Sequence, residues 1–402
     1  MPRQIFRLRT NLNFDISEEQ RQIYDNSLAI AKRFPTKYWR SKDSTSEFPK
    51  EFWDEVIKNG LTAIPFPEEY GGLGLGLFEL LLSVEGISRG GAGMDGAAIF
   101  PTGPAYGGMT ILNGGTSSQK SEYLPHVCKG ELISLALTES ESGSNVTRMK
   151  SFAKKTATGR DYEINGTKQF ISIAREAKHI VIAARTLEYT NVERKTDGIG
   201  LFISDLPSPN ISLQTYRKCG FHMIDTSELS MRSVLVPSGN LLGSDEIHGW
   251  KTLTKTLNAS RLIFAIGAVG TASLCLEIAS EYAKTRIVWD KPIGSHQGVS
   301  FPLVDAFVGL EVAKLAIYKA AWLFDNGRDC SVETSVAKYH AVNASFKAAD
   351  EAMQTLGGLG YMQESDIERH WRNLRLMKMV PITQQMTANF LSSKALGLPR
   401  SY

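Results

Sequence analysis

The sequence predicts a mostly helical α+β protein built in three parts. An N-terminal α-helical domain is expected over residues 1–131, a middle antiparallel β-barrel over 132–244, and a C-terminal four-helix bundle over 245–402. Three observations predict it. Apolar residues recur at helical spacing on both flanks of the chain, the period drops to two between them, and the last third holds long helical stretches closed by glycines. A chain of 402 residues is also long enough for two or three separate cores.

In the first part, DISEEQRQIYDNSLAIAKRF opens with Ser17 as the expected N-cap, followed by Ile23, Leu28, Ile30 and Ala31 at helical spacing. EFPKEFWDEVIKNGL repeats the pattern, with Gly60 as the C-terminal stop. PEEYGGLGLG reads as a glycine-rich loop, and LFELLLSVEGISR as a buried helix. In the second part ISLALTES, YEINGTKQFIS, HIVIAART, GIGLFIS and ELSMRSVLVP read as short strands. Asn165-Gly166 between β-rich runs gives a hairpin signal. Several antiparallel strands at this spacing fit a small barrel or sandwich. In the third part, helices are expected over residues 259–286, 300–327 (ended by Gly327) and 331–358 (ended by Gly357-Gly358). A shorter fourth follows Pro381, and short connections make the four an antiparallel bundle.

Hydrophobic residues make up 42% and charged residues 22%, as in an ordinary globular enzyme. The net charge of +3 comes without a basic run, so nucleic acid is not an expected partner. Cys128, Cys219, Cys275 and Cys330 are scattered and form no CxxC pair, which argues against a zinc site or disulfide framework and for a reducing compartment. MPRQIFRLRT lacks the apolar core of a secretory signal, and no apolar run of membrane-spanning length is expected, so a cytoplasmic location is.

Three stretches could carry chemistry. GGLG at 357–360 follows a helix rather than a strand, so it reads as a helix stop and turn before it reads as a phosphate loop. LALTESESGSN at 135–145 ends a strand in hydroxyls and small residues. It is either a serine-rich loop or a donor set for a flat polar ligand. KTRIVWDKPIGSHQ at 284–297 places Arg286 near Trp289 and a His296-Gln297 pair. An arginine fork suits a diphosphate, although a solvated arginine at a helix end reads equally well. HExxH, P-loop and helical di-iron patterns do not occur, and GxSxG occurs only as GISRG at 86–90, at the end of the stretch read as a buried helix, which sets metal and acyl-serine chemistry aside.

Taken in order, PEEYGGLGLG, LALTESESGSN, YEINGTKQFIS, CGFHMIDTSEL, VPSGNLLG, KTRIVWDKPIGSHQGVSF and QTLGGLGYMQE resemble the acyl-CoA dehydrogenase family, over nearly the whole chain. The resemblance implies the same three-part fold and FAD bound between barrel and bundle of a homotetramer. It implies that Leu135, Leu137, Thr138 and Ser144 hold the flavin ring and its ribityl chain, with Phe170 and Ser172 flanking the ring. Arg286, Trp289, Gln297, Gln354 and Gly358 would come from a neighbouring subunit, and Thr383 and Gln385 would meet the adenosine side. Ser144 and Arg261 would face the substrate, an acyl thioester on CoA or an acyl-carrier protein, with an electron-transfer flavoprotein as electron partner.

The chemistry implied is α-proton removal by a carboxylate coupled to hydride transfer. Most family members carry that glutamate where this chain has Pro381, and a minority where it has Ser260. MKMVPITQQMTANF contains no Asp or Glu, and proline also lacks the N–H that the family's base residue offers the thioester carbonyl. Asp95, in GGAGMDGAAIF, occupies a helix that lines the family's substrate cavity. It is the candidate for a relocated base, or else a helix cap. If buried among Gly93, Gly96 and Ala97 with no cation beside it, its pKa would rise to suit a base near neutral pH. The expected function is thus FAD-dependent oxidation of the CH–CH bond of an acyl thioester with a missing or relocated base. The alternatives are enoyl-thioester reduction, a flavin-dependent elimination, or a non-catalytic scaffold of the same fold.

Overall fold

The structure is a computed structural model that describes residues 15–399; the basic N-terminal stretch lies outside them. Helices α1 (Glu18–Lys32), α2 (Thr36–Thr45), α3 (Lys50–Lys58) and α4 (Leu77–Ile87) form the first layer. Ser17 starts α1 as expected: its hydroxyl accepts from the Gln20 N–H at 3.2 Å, and the Gln20 side chain returns the bond to the Ser17 N–H at 2.9 Å. Gly60, at φ +70°, turns the chain out of α3. The stretch GGAGMDGAAIF, expected to be one helix, is broken. A π-turn (Ser88–Ala92) and the short α5 (Gly93–Ala97) replace it, and a longer π-segment (Pro101–Met109) follows. Gly93 has φ +59°, and a Cβ there would lie 2.5 Å from the His370 ring, so the break lets two buried segments meet. Helices α6 (Thr110–Gly114) and α7 (Ser117–Cys128) lead to the sheet.

Seven strands form one curled sheet: β1 (Ile133–Ala136), β2 (Phe152–Lys155), β3 (Asp161–Ser172), β4 (His179–Arg185), β5 (Ile199–Asp205), β6 (Ile211–Thr215) and β7 (Thr226–Pro237). The order is β1-β4-β2-β3-β7-β6, with β5 on β4. Most pairs are antiparallel, but β1 and β2 both run parallel to β4. Strands β2 and β6 are too short and polar to announce themselves in the sequence. Asn165-Gly166 is not a hairpin turn. It lies inside β3, where a register shift against β7 falls between Ile164 and Gly166. Gly166 takes φ +147° and lets Ser151 pack where a side chain would stand, so the turn chemistry serves a bulge.

The C-terminal part is built on α8 (Gly249–Thr285), which starts ten residues before the sequence pattern does and is about 55 Å long. An 18-residue window of α8 has a mean hydropathy of 2.0, so it is long and apolar enough to cross a membrane, which corrects the sequence expectation; 78% of that window is buried inside the protein. A small hairpin, β8 (Ile287–Val288) and β9 (Lys291–Pro292), joins it to α9 (Gln297–Asp325). Helices α10 (Ser331–Leu356), α11 (Ile367–Leu376) and α12 (Gln384–Lys394) complete the bundle. Gly327 and Gly357, at φ +65° and +60°, stop α9 and α10 as the sequence indicates.

The end of α9 reaches back to the first layer. Asp325 accepts from the Leu77 and Phe78 N–H groups at 2.7 and 2.9 Å, capping α4 from 248 and 247 residues away. A Cβ at Gly76 would sit 2.6 Å from the Asp325 carboxylate, so glycine is needed for the approach. Asp325→Ala should therefore lower stability by about 1–2 kcal/mol in urea unfolding, and Asp325→Asn, which keeps one acceptor, by less.

Candidate active site

The end of β1 forms one wall. Leu135 is buried, while Leu137 and Thr138 are half-buried. Their backbone is fixed from beneath by Lys168, whose Nζ donates to the Leu137 carbonyl at 3.2 Å and pairs with Glu139 at 2.8 Å. Glu139 also accepts from the N–H groups of Lys150 and Ser151. Burial works against the Glu139 charge, but Lys168 and these donors outweigh it and hold the carboxyl below its usual range. Burial pushes Lys168 down to about 8. The Gln169 N–H donates to the Thr138 carbonyl at 2.8 Å, and the Ser134 hydroxyl to the Ser172 carbonyl at 2.8 Å. Between Lys168 and Ile171 the β3–β7 register shifts again, and there Phe170 takes φ +59° and stands 62% exposed beside the Tyr216 ring. Ser144 is exposed on the loop after β1. A flat, half-apolar edge results.

Arg286, Trp289, Gln297, Gln354 and Gly358 all lie exposed, at the α8–α9 connection, the start of α9 and the end of α10. Trp289 is 84% exposed, and among the described residues the Arg286 side chain has no ion pair. No described hydrogen bond or ion pair joins these five to the β1–β3 edge of the same chain.

Pro381 lies in the loop between α11 and α12. Thr383 caps α12, its hydroxyl accepting from the Met386 N–H at 3.2 Å, and Gln385 is exposed in the first turn. The loop is held by a residue the sequence reading missed. Lys338 of α10 has no exposed surface, and its Nζ donates to the Ile382 carbonyl at 2.7 Å. Burial, with the charge of Arg261 added, pushes Lys338 down to about 8. The signal was available: Lys338 shares a helical face with Thr334, Ala341 and Ser345, small residues that mark a buried stripe. Arg261 donates to Asn258 at 3.1 Å, and its Nε is buried without a partner. Ser260 is buried, its hydroxyl donating to the Thr256 carbonyl. Tyr106, with its ring centroid 6.4 Å from that of Phe264, lies within electrostatic range of Arg261.

A cleft of about 630 Å³, also absent from the sequence reading, opens beside this region. Its wall includes Arg194, Lys251, Lys255, Asn258, Arg328 and Asp329. Lys251, Lys255, Asn258 and Arg261 follow one another at three- and four-residue steps, so one face of α8 runs from the cleft toward Arg261.

The expectation that Asp95 has no cationic neighbour is corrected. Asp95 has no exposed surface, and its Oδ2 accepts from Arg369, which also forks onto Asp366 at 2.7–2.8 Å. Burial raises the Asp95 pKa and Arg369 opposes the rise. For Asp366 burial is outweighed by Arg369, which holds the carboxyl far below its usual range. Asp95 Oδ1 and both ring nitrogens of His370 are buried without hydrogen-bond partners.

Three family models cover the chain in order: acyl-CoA dehydrogenase N-terminal domain over 17–131, middle domain over 134–234 and C-terminal domain over 248–392. The chain belongs to the acyl-CoA dehydrogenase family. Among curated relatives, acyl-CoA dehydrogenase FadE12 of Mycobacterium tuberculosis is 32% identical, over 98% of this chain and 100% of its own. The 3-(aryl)acrylate reductase of Clostridium sporogenes is 33% identical, over 88% of this chain and 92% of its own. Among solved structures, butyryl-CoA dehydrogenase of Megasphaera elsdenii is 27% identical with a TM-score of 0.90, over 96% of this chain and 100% of that one. This member of the acyl-CoA dehydrogenase family thus has close relatives named for opposite directions of a redox reaction.

Arg369→Met tests the buried charge cluster, because it strands two carboxylates. It should cost about 3–5 kcal/mol in denaturant unfolding. Asp366 is depressed in the folded state, so the stability it supplies is complete above its unfolded value of 3.8 and is lost as pH falls through the lower folded value. The gap between wild type and Arg369→Met should therefore narrow in strong acid.

Proposed function

We propose that this chain is an FAD-dependent oxidoreductase of acyl thioesters that favours reduction of an α,β-unsaturated thioester over desaturation of a saturated one. One observation supports the direction: the loop itself carries no carboxylate. Pro381 stands where the family resemblance puts the base, no Asp or Glu lies between Met377 and Phe390, and Asp95 is committed to Arg369. Removing an α-proton requires a placed base. In the reducing direction the α-carbanion left by hydride addition takes a proton from water and releases hydroxide, a step that needs no side-chain carboxylate. The names of the C. sporogenes relative and of a caffeyl-CoA reductase–Etf complex subunit from Acetobacterium woodii, 32% identical over 91% of this chain, support the same direction.

The residues fit the cofactor. The exposed Phe170 bulge and the half-buried Leu137–Thr138 edge offer a flat wall, and Arg286, which has no ion pair among the described residues, offers a fork for a diphosphate. FAD, when bound there, supplies a two-electron hydride carrier. Beneath it, Lys168 keeps the Leu137 carbonyl and the Glu139 carboxylate fixed, so the wall does not have to be ordered on binding. Lys338 holds the Ile382 carbonyl, fixing the loop on the opposite side. The cations at the rim of the cleft, Arg194, Lys251, Lys255 and Arg328, suit the phosphates of CoA or of an acyl-carrier-protein arm. The polar face of α8 leads inward from that rim. An electron-transfer flavoprotein is the proposed electron source.

Assembly is the second element of the reading. Phe301, Val304, Val308, Val312, Leu315 and Trp322 are each more than half exposed and line one side of α9. An apolar stripe of this length fits a second copy of the chain. It starts beside the exposed Arg286, Trp289 and Gln297, so the same contact would bring these residues to a neighbour's cofactor. Val308→Asp should shift the protein to smaller species in sedimentation analysis and lower its FAD content together.

The purified protein should carry about one FAD per chain, and Arg286→Ala should weaken FAD by a few kcal/mol, on the order expected for a lost charge-assisted pair. Under anaerobic conditions the reduced protein should be reoxidised by an enoyl-CoA. Saturated acyl-CoA should bleach the oxidised protein slowly, and Pro381→Glu should speed that bleaching by about 10² or more. Equal bleaching rates for wild type and Pro381→Glu would overturn the assignment of direction.

A further inference from the structure

Lys338 is a buried cation and Arg261 a half-buried one whose Nε is buried, and among the described residues no carboxylate neutralises either. The rest of the interior treats its cations differently. Lys168 pairs with Glu139, and Arg369 with Asp95 and Asp366. Arg185 has no acidic partner but spends Nε, Nη1 and Nη2 on the carbonyls of Leu187, Thr147 and Asp197, at 2.8, 2.7 and 2.7 Å. Arg261 has neither solution. It makes one hydrogen bond, to Asn258, and leaves Nε buried and unpaired. Lys338 makes one, to the Ile382 carbonyl. Each is close enough to the Pro381 loop or to the other for the positive charge of Arg261 to disfavour that of Lys338. Two unneutralised charges in a poorly solvated place are costly, and they remain so until an anion arrives.

The anion cannot come from the loop. No Asp or Glu lies between Met377 and Phe390, and Ser260, next to Arg261, turns its hydroxyl to the Thr256 carbonyl. It can come along α8. Lys251, Lys255, Asn258 and Arg261 share one helix face, and the first three line the open cleft, so Arg261 is the next polar residue inward. A ligand whose phosphates stay at the rim would deliver its far end to this pair.

We infer that the acyl group of the substrate itself carries a carboxylate, which docks on Arg261 with Lys338 supporting it, so that the preferred substrates are thioesters of dicarboxylic acids. This rests on the flavin–thioester reading above. The guanidinium offers Nε and one Nη as a fork, the geometry that a carboxylate fills with two parallel bonds. Tyr106 and Phe264 provide apolar surroundings on the Arg261 side, which strengthens a charged contact made there.

The test uses the FAD-loaded protein and pairs of CoA thioesters of equal chain length: butyryl against succinyl, and hexanoyl against adipyl. Binding is read from the perturbation of flavin absorbance. The carboxylate member of at least one pair should bind tenfold or more tightly than its neutral partner. Arg261→Gln should abolish the preference and Arg261→Lys should restore part of it. Lys338→Met should reduce the preference without reversing it. Equal or tighter binding of the neutral member in both pairs overturns the inference and leaves the flavin–thioester reading standing. A flavin that responds to none of the four thioesters overturns that reading and the inference with it. The comparison of ligands is made in the wild-type protein, so it holds even if a variant fails to fold.

Discussion

The buried contact of Arg369 with Asp95 and Asp366 is the interaction on which the remaining architecture depends. It joins a broken helix of the first layer to a short helix near the C-terminus, 274 residues away in sequence. Helix α11 uses its other faces in the same way. Arg372 reaches Asp43 of α2 at 2.8 Å and the Cys219 carbonyl at 3.1 Å, and Asn373 accepts from the Phe221 N–H at 2.7 Å. One ten-residue helix therefore ties the N-terminal helices, the sheet and the bundle together. Buried ion pairs give little net stability compared with apolar packing, because desolvation takes back most of the Coulomb gain. They do punish misplacement: a guanidinium that misses its carboxylates is left with an exposed cost. The cluster specifies where α11 lies, and the loop that carries Pro381 begins at its end.

The interior thus shows two treatments of charge. Around α11 and beneath β1, opposite charges meet and pair. Beside the Pro381 loop, positive charge is left over. An excess of this kind is tolerable where something else is meant to enter, and it sets the local field in a fixed direction before any ligand is present.

The outer framework was legible in the sequence because it depends on local rules. The Ser17–Gln20 capping box, the stops at Gly60, Gly327 and Gly357, and the apolar periods of the long helices are all readable within a few residues. The readings that failed are those in which a distant partner changes the meaning of a local signal. Asn165-Gly166 has the composition of a turn, yet β7 and Ser151 make it a bulge. Asp95 looks like an unpaired acid among glycines, and only the fold brings Arg369 to it. The glycines around Asp95 look like weak points in a helix and are instead the places where His370 and neighbouring helices come close. The residues of the β1–β3 edge could be named from motifs, whereas Lys168 beneath them left no local sign and Lys338 only an indirect one, the stripe of small residues on its helix face.

Helix α8 has a further consequence for how this site can change over time. Its 37 residues run unbroken from the cleft to the middle of the bundle and on to the β8–β9 hairpin. Each residue turns the helix by about 100°, so inserting or deleting a single position between Lys255 and Arg261 would rotate every later side chain off its present face. The cleft, the inward polar line and the buried half of the helix would fall out of phase together. Lineages can thus alter what this surface accepts by exchanging side chains, whereas gains and losses of length are confined to the loops at either end. Changes of ligand preference and changes of chain length therefore fall on different parts of the fold, because a rigid rod keeps its side chains in register.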